Sequence, residues 1–163
     1  MNWRKTVEVR DEFDPFEKRI LHLVQKDSSL PITELSEAVG MSSSPCHRRL
    51  KALEERGVIK GYVAVVDRVA MGQGFTAFAQ VSLENQTREA VDAFESQIAP
   101  REEILEAHLV SGDYDYLLKI VAQDISAFQE FLWNFLTKVP QVEKIRTVLP
   151  MRTVKESSYC PVA

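Results

Sequence analysis

The chain has 163 residues, 45% hydrophobic and 27% charged, with a formal net charge of −4 at pH 7. No apolar run approaches the roughly 18 residues of a membrane span. The opening MNWRKTVEVRDEF lacks the apolar core of a secretion signal, and the two cysteines, Cys46 and Cys160, are far apart without metal-ligand spacing, so a reduced, cytoplasmic protein is expected. The negative balance argues against a protein that coats nucleic acid indiscriminately.

Charge is unevenly distributed. Residues 1–61 carry 11 Lys and Arg against 10 Asp and Glu, a balance of +1, whereas residues 62–163 carry 9 against 14, a balance of −5. If DNA is bound, the first part binds it. Residues 1–12 have mixed charge and little periodicity, and read as a tail ordered only if a partner subunit holds it. Asp14-Pro15-Phe16-Glu17 is a helix start, with an Asp cap, Pro at the first helical position and Glu three residues after the cap. Phe16, Ile20, Leu21 and Val24 form the apolar face, and the helix should end near Lys26 or Asp27.

Residues 32–57, ITELSEAVGMSSSPCHRRLKALEERG, read as a short helix, a tight turn and a second helix. Leu35, Ala38 and Val39 bury one face of the first. Gly40 follows, where a left-handed residue ends a helix cheaply. Ser42, Ser43 and Ser44 offer caps for the second helix, and Pro45 fits its first turn. Cys46, Leu50 and Leu53 form its buried stripe, which puts Ser44, His47, Arg48 and Lys51 on or near the opposite face. The basic residues Arg48, Arg49 and Lys51 occupy its N-terminal half, and the acids Glu54 and Glu55 wait for the C-terminal half. A polar, basic N-terminal half with an apolar rear stripe is what a recognition helix needs. Two amphipathic helices around a glycine turn also occur in plain helical cores, where a charge cluster is only a solvated face. The β-rich VIKGYVAVV, residues 58–66, suggests a strand or short wing, and residues 67–74 a linker.

The rest follows the order strand, helix, strand, strand, helix, strand. Residues 75–83 alternate, 87–98 are helical with Val91, Phe94 and Ile98 on one face, and 104–110 are strand-like. Ser111-Gly112-Asp113 makes a turn, and residues 114–122 form a more apolar strand. Asp124 caps a helix carrying Ile125, Phe128, Phe131, Leu132 and Phe135, with Pro140 marking its end, and residues 142–149 are the last strand. Two split βαβ units of this kind give a ferredoxin-like βαββαβ sheet with both helices on one face. Its uncovered face should be buried by a second subunit. Overall the expectation is an α+β protein: a winged helix-turn-helix domain over residues 1–61, a connection over 62–74 and a second domain over 75–163.

SSSPCHRRLKALEERGVIKGY resembles S-x-[ST]-P-C-x-x-R-[LVI]-[KR]-x-L-E-x-x-G-x-I-x-[GR]-Y of the Lrp/AsnC (feast/famine) family of prokaryotic transcription regulators, with Ser42, Ser44, Pro45, Cys46, Arg49, Leu50, Lys51, Leu53, Glu54, Gly57, Ile59, Gly61 and Tyr62 on the pattern. The resemblance runs from about Phe13 to the C-terminus; Glu17 stands where the family usually has Asp. LVSGDYDYLLK resembles the family's G-x-x-D-[YF] loop, near which relatives bind small effectors, usually amino acids. Here Gly112 N–H groups would hold a carboxylate, Asp113 or Asp115 an ammonium, and Tyr114 or Tyr116 would wall the side chain; Gly-Asp between alternating strands is equally a plain hairpin turn. The C-terminal MRTVKESSYCPVA resembles the family's short extended ending, an added edge strand or inter-subunit strap.

The resemblance implies a cytoplasmic, nucleoid-associated homo-oligomer of dimers, octameric or similar. It would bind double-stranded DNA through Ser44, His47, Arg48 and Lys51, with Ser42, Ser43 and Arg49 at phosphates, and an amino-acid effector at Gly112, Asp113, Tyr114 and Asp115. No cofactor is expected. The three histidines are scattered, no phosphate-binding glycine loop occurs, and Glu54-Glu55 and Glu102-Glu103 read as solvated surface, so no catalytic role is expected. A second reading is a small-molecule-sensing module whose N-terminal helices dock a protein partner without DNA.

Overall fold

The structure, a computed structural model, describes residues 13–162; the expected tail over residues 1–12 lies outside them. The chain divides into two compact units. One contains the residues up to Ala64 together with those from Lys155 onward; the other is Val65–Val154.

The first unit holds α1 (Pro15–Val24), α2 (Ile32–Val39) and α3 (Ser43–Glu55). The start of α1 follows from its sequence. Asp14 Oδ1 accepts from Phe16 N (2.8 Å) and Glu17 N (2.9 Å), and Asp14 N donates back to Glu17 Oε2 at 3.1 Å. This reciprocal box satisfies N–H groups that a helix start leaves open. Gly40 ends α2 at φ 82°, and both Gly40 N and Met41 N reach back to Ser36 O at 3.0 Å. A side chain at that φ is strained, so the turn into α3 depends on glycine. Ile20, Leu21, Leu35, Val39, Cys46 and Leu53 are the core the three helices share. Cys46 is fully buried there, and burial pushes its thiol pKa up, in keeping with a packing residue.

Two strands considered from the sequence are absent among the described residues of this unit. Residues 58–66 form no strand, although Val58 and Ile59 pack on the core and donate to Leu53 O at 3.0 and 3.2 Å. A β-rich stretch becomes a strand only when a neighbouring strand takes its N–H and C=O groups in a ladder, and no described segment pairs with it in that way. Tyr62 and Val63 are instead exposed. The C-terminal segment also adds no strand. It lies along α1, where the Gln25 amide grips both backbone groups of Cys160 (Nε2 to O 3.0 Å, N to Oε1 2.7 Å), Tyr159 OH sits 2.8 Å from His22 Nδ1, and Val162 touches the helical core.

The second unit contains β1 (Phe75–Leu83), α4 (Arg88–Ile98), β2 (Ile104–Leu109), β3 (Tyr116–Ala122), α5 (Ile125–Asn134) and β4 (Val142–Val148). The strands form one antiparallel sheet in the order β2-β3-β1-β4. Ala77, Ala79, Val81 and Leu83 of β1 and Tyr116, Leu118, Ile120 and Ala122 of β3 point to one face, against Phe94 and Ile98 of α4 and Phe128 and Phe131 of α5. This is the expected βαββαβ arrangement with both helices on one side. Thr87 and Asp124 cap the two helices through Ala90 N and Ala127 N. The far face carries Phe78 and Leu117 beside polar groups, among them Lys119, whose Nζ donates to Glu106 Oε1 at 3.0 Å.

The helix expected to run past Phe135 breaks there. Phe135 adopts φ −128°, ψ −71°, and a 3-10 turn, Leu136–Lys138, follows. Leu136 and Val139 are both buried; their spacing of three suits the tighter turn. Among the described residues no helix is long and apolar enough to cross a membrane.

Leu118 lies at the centre of the sheet with no exposure. Leu118→Ala should destabilise the second unit by about 2–5 kcal/mol, the range for cavity-forming core truncations, measured by urea unfolding followed at Trp133.

Candidate functional site

The C-terminal stripe of α3 fixes which residues face away from the first unit. Ser42 occupies the N-cap position with an extended backbone, but its side chain makes no capping bond. It is therefore exposed and available, as are Ser44, His47, Arg48 and Lys51. Arg48 and His47 make no ion pair or side-chain hydrogen bond with any described residue. Lys51 has only a loose contact with Glu55, 3.9 Å along the same helix and well exposed, a geometry of small energetic consequence.

Two sequence-derived phosphate contacts are held differently. Ser36 Oγ donates to Thr33 O at 2.8 Å, which leaves Ser43 as donor to Ser36 Oγ at 3.1 Å, so Ser43 ties α3 to α2. Arg49 turns toward α1, where its guanidinium pairs with Asp14 and lies over the Phe16 ring at 5.6 Å. Arg56 repeats the arrangement two turns later, pairing with Glu17 Oε1 at 2.8 Å above Phe13. Both acids of the α1 cap thus double as anchors for α3. Tyr62 OH donates to Glu54 Oε1 at 2.7 Å. Burial first, and then the Glu54 carboxylate, push the phenol up to about 12, so it remains a donor at neutral pH. No local pattern marks this contact, which joins residues eight apart through a glycine turn.

The loop before β3 is the second candidate. Gly112 has φ 139° with open space around it, Asp113 is exposed and Tyr114 half-buried. Asp115 is engaged within the fold. Its Oδ2 accepts from Leu83 N at 2.7 Å and its Oδ1 from Gln86 Nε2 at 2.7 Å, while its own N donates to Val81 O at 2.9 Å. Tyr116, read from sequence as a possible wall for an effector, is a core residue. Its ring packs on Phe94 with centroids 4.6 Å apart, and its OH donates to Glu95 Oε1 at 3.0 Å. Burial and then Glu95 raise its pKa. The exposed surface of the loop is therefore Ser111, Gly112, Asp113 and part of Tyr114. Among the described residues no group of three or more His, Cys, Asp or Glu side chains is gathered to hold a metal ion.

Comparison with known proteins matches both units. Residues 13–60 fit the model of a winged helix-turn-helix DNA-binding domain, and residues 76–159 fit that of the Lrp/AsnC ligand binding domain. The chain belongs to the Lrp/AsnC family. It is 40% identical over 149 residues to a leucine-responsive regulatory protein of Rhizobium meliloti, covering 91% of this chain and 96% of that one. The leucine-responsive regulatory protein of Escherichia coli K12 is 36% identical, with 90% of each chain covered. Among solved structures, a transcriptional regulator from Neisseria meningitidis in complex with L-methionine superposes with a TM-score of 0.88 at 30% identity, covering 91% of this chain and 96% of that one. An AsnC family transcriptional regulator from Agrobacterium tumefaciens gives 0.87 at 31%, covering 91% and 97%. The helix-turn-helix of this Lrp/AsnC protein is thus a DNA-binding element, and its sheet unit a ligand-binding one.

The Asp14–Arg49 contact has a pH consequence. Backbone donation from Glu17 N, followed by the Arg49 side chain and Phe16 N, holds the Asp14 carboxyl below its ordinary value against some opposing burial. A carboxyl depressed in the folded state contributes stability above its unfolded value of about 3.9 and loses it as pH falls through the folded value. Asp14→Asn keeps a capping side chain but removes the charge. Its urea midpoint should therefore lie below that of the parent at pH 6 and converge toward it between about pH 4 and pH 2. A difference constant across that range would show that the charge plays no part.

Proposed function

We propose that this Lrp/AsnC transcription regulator reads its operator through Ser44, His47, Arg48 and Lys51 of α3, with Ser42 at the phosphate backbone. The observation that carries this reading is the division of charge on α3: Arg49 and Arg56 are neutralised by α1, while Arg48 and Lys51 stand outward in the half of the helix that holds no acid. Arg48 is the residue suited to bidentate contact with guanine O6 and N7. Ser43 and Arg49, engaged with Ser36 and Asp14, set the angle of α3 instead of touching phosphate.

The same reading gives the sheet unit an amino-acid effector. Gly112 N–H would meet the carboxylate, Asp113 the ammonium, and Tyr114 would flank the side chain, while Asp115 keeps the loop in shape. The neighbour solved with L-methionine supports an amino acid as the ligand class. Assembly into dimers, and of dimers into octamers or similar rings, fits two surfaces of this chain: the far face of the sheet with Phe78 and Leu117, and the exposed stretch containing Tyr62 and Val63. Several DNA-binding units on one particle would engage spaced sites together and bend the DNA between them. A cytoplasmic, nucleoid-associated, non-enzymatic protein completes the reading.

A gel-shift titration on the protein's own upstream region tests it. Arg48→Ala should weaken specific binding by about 1–3 kcal/mol, roughly 5- to 150-fold, and leave the oligomer size by light scattering unchanged. The parent's affinity should fall steeply with salt. An unaltered shift in the variant would remove Arg48 from the interface, and salt-independent behaviour would favour a protein-docking role for the helical unit.

A further inference from the structure

A cleft of about 400 Å³ opens within the first unit, between α1 and the C-terminal segment that returns to it. Its volume lies in the range of small-molecule pockets, about 300–1,000 Å³. Three basic side chains of α1, Lys18, Arg19 and His22, form one side. Their spacing of three and four residues makes them neighbours on the helix surface. Leu23, Ala38 of α2 and Val162 supply apolar surface. The Tyr159 ring stands edge-on to that of His22, with centroids 5.7 Å apart. Tyr159 and Val162 both belong to the returning segment. Gln25 holds that segment through both backbone groups of Cys160, and Val162 rests on the helical core. The cleft therefore exists only while the segment is seated.

The charges around the cleft restrict what would fill it. No acid occurs among the described lining residues. Lys18, Arg19 and His22 pair with no carboxylate of any described residue. Arg19 gives one N–H to Val39 O at 3.3 Å, and a guanidinium has five. Lys18 and Arg19 are both exposed, so their remaining donors are open to a ligand. His22 Nδ1 lies 2.8 Å from Tyr159 OH. When the phenol donates, His22 keeps its Nε2 proton; when the ring donates, the phenol keeps its own. Either tautomer leaves the pair one N–H or O–H to offer. Such a lining suits an anion. An α-amino acid would bring its ammonium against Lys18 and Arg19, where like charge opposes it. A bare inorganic anion would leave the surface of Leu23, Ala38 and Val162 in water.

We infer that this cleft binds a small carboxylate that has an apolar tail and no ammonium group. The carboxylate meets Lys18 and Arg19, with the His22–Tyr159 pair beside them, and the tail covers Leu23, Ala38 and Val162. Because Tyr159 and Val162 belong to the returning segment, the bound acid fastens that segment to α1. The site is separate from the Gly112 loop, which belongs to the second unit, and does not depend on it.

The probe is 4-methylpentanoate. Its controls are L-leucine, the same skeleton with an ammonium added, 4-methylpentanamide, which lacks the charge, and inorganic phosphate, which lacks the tail. Each is titrated into the full chain by calorimetry. Hydrogen exchange is followed by mass spectrometry in the peptide containing Cys160, whose N–H donates to Gln25 Oε1 at 2.7 Å. Saturating 4-methylpentanoate should slow that exchange about threefold or more. The amide and phosphate should bind about tenfold more weakly or worse, the loss expected of a charge-assisted bond or of the buried tail. L-Leucine should leave the Cys160 exchange unchanged, whatever heat it gives at the loop. Lys18→Gln and His22→Gln, both at exposed positions, should each weaken 4-methylpentanoate by about tenfold. Asp113→Ala should bind it like the parent. Unchanged Cys160 exchange with the probe, or parent-like titration of both Lys18→Gln and His22→Gln, overturns the site. Loss of probe binding in Asp113→Ala also overturns it and moves the acid to the loop. So does L-leucine or phosphate slowing the exchange as well as the probe, since then the missing ammonium or the tail plays no part.

Discussion

The orientation of α3 rests on two carboxylates at the start of another helix. Asp14 and Glu17 first close the N-terminal turn of α1, each satisfying backbone N–H groups of the other's residue or its neighbour. The same two groups then reach Arg49 and Arg56 of α3. Apolar contact through Cys46 and Leu53 sets the distance between the helices, but such contact is tolerant of small rotations. Charge-assisted pairs are directional, and here they take the arginines that face inward. What remains outside is a short helix face on which Arg48 has no ion pair among the described residues and Lys51 only a loose contact with Glu55. Selectivity in a groove needs side chains that are free to bond and a backbone that is not free to roll, and this arrangement supplies both.

The sheet unit shows a comparable economy with one acid. Asp115 accepts from the end of β1 and from Gln86 at the entry to α4. The loop before it, with Gly112 and Asp113 exposed, is thereby fixed at its base while its tip stays open. A motif residue whose chemistry suggests ligand binding can instead serve the fold, by holding the base of the loop that carries it.

Much of this was legible in the residues. The alternation of β1, the cap at Asp14, the glycine turn at Gly40 and the buried stripe of α3 each declare themselves through a local rule, because the periodicity of burial and the chemistry of helix ends are local. The outward set of Ser44, His47, Arg48 and Lys51 follows from the same projection. What was not legible depended on another segment. A helical projection gives the direction of Arg49 but cannot show that Asp14 lies in that direction. Ser43 looked like a cap because nothing in its neighbourhood announces Ser36. Residues 58–66 have strand composition, and composition does not supply a pairing neighbour. Tyr116 sits in a motif and reads as surface until Phe94 and Glu95 are seen around it. Phe135 breaks a helix whose sequence would have continued it.

The first unit is assembled from two stretches of chain separated by the whole of the second, since the segment carrying Tyr159 and Cys160 returns to α1. On the ribosome the three helices emerge before the sheet unit, and the piece that covers His22 and Gln25 emerges after it. The intervening Val65–Val154 takes about 5–20 s to synthesise at typical elongation rates. Order of synthesis and order of completion are therefore reversed: the sheet unit can close while the helical unit still lacks its final segment. A nascent chain stalled between Val154 and Tyr159 would carry a finished ligand-binding unit and an unfinished DNA-binding one.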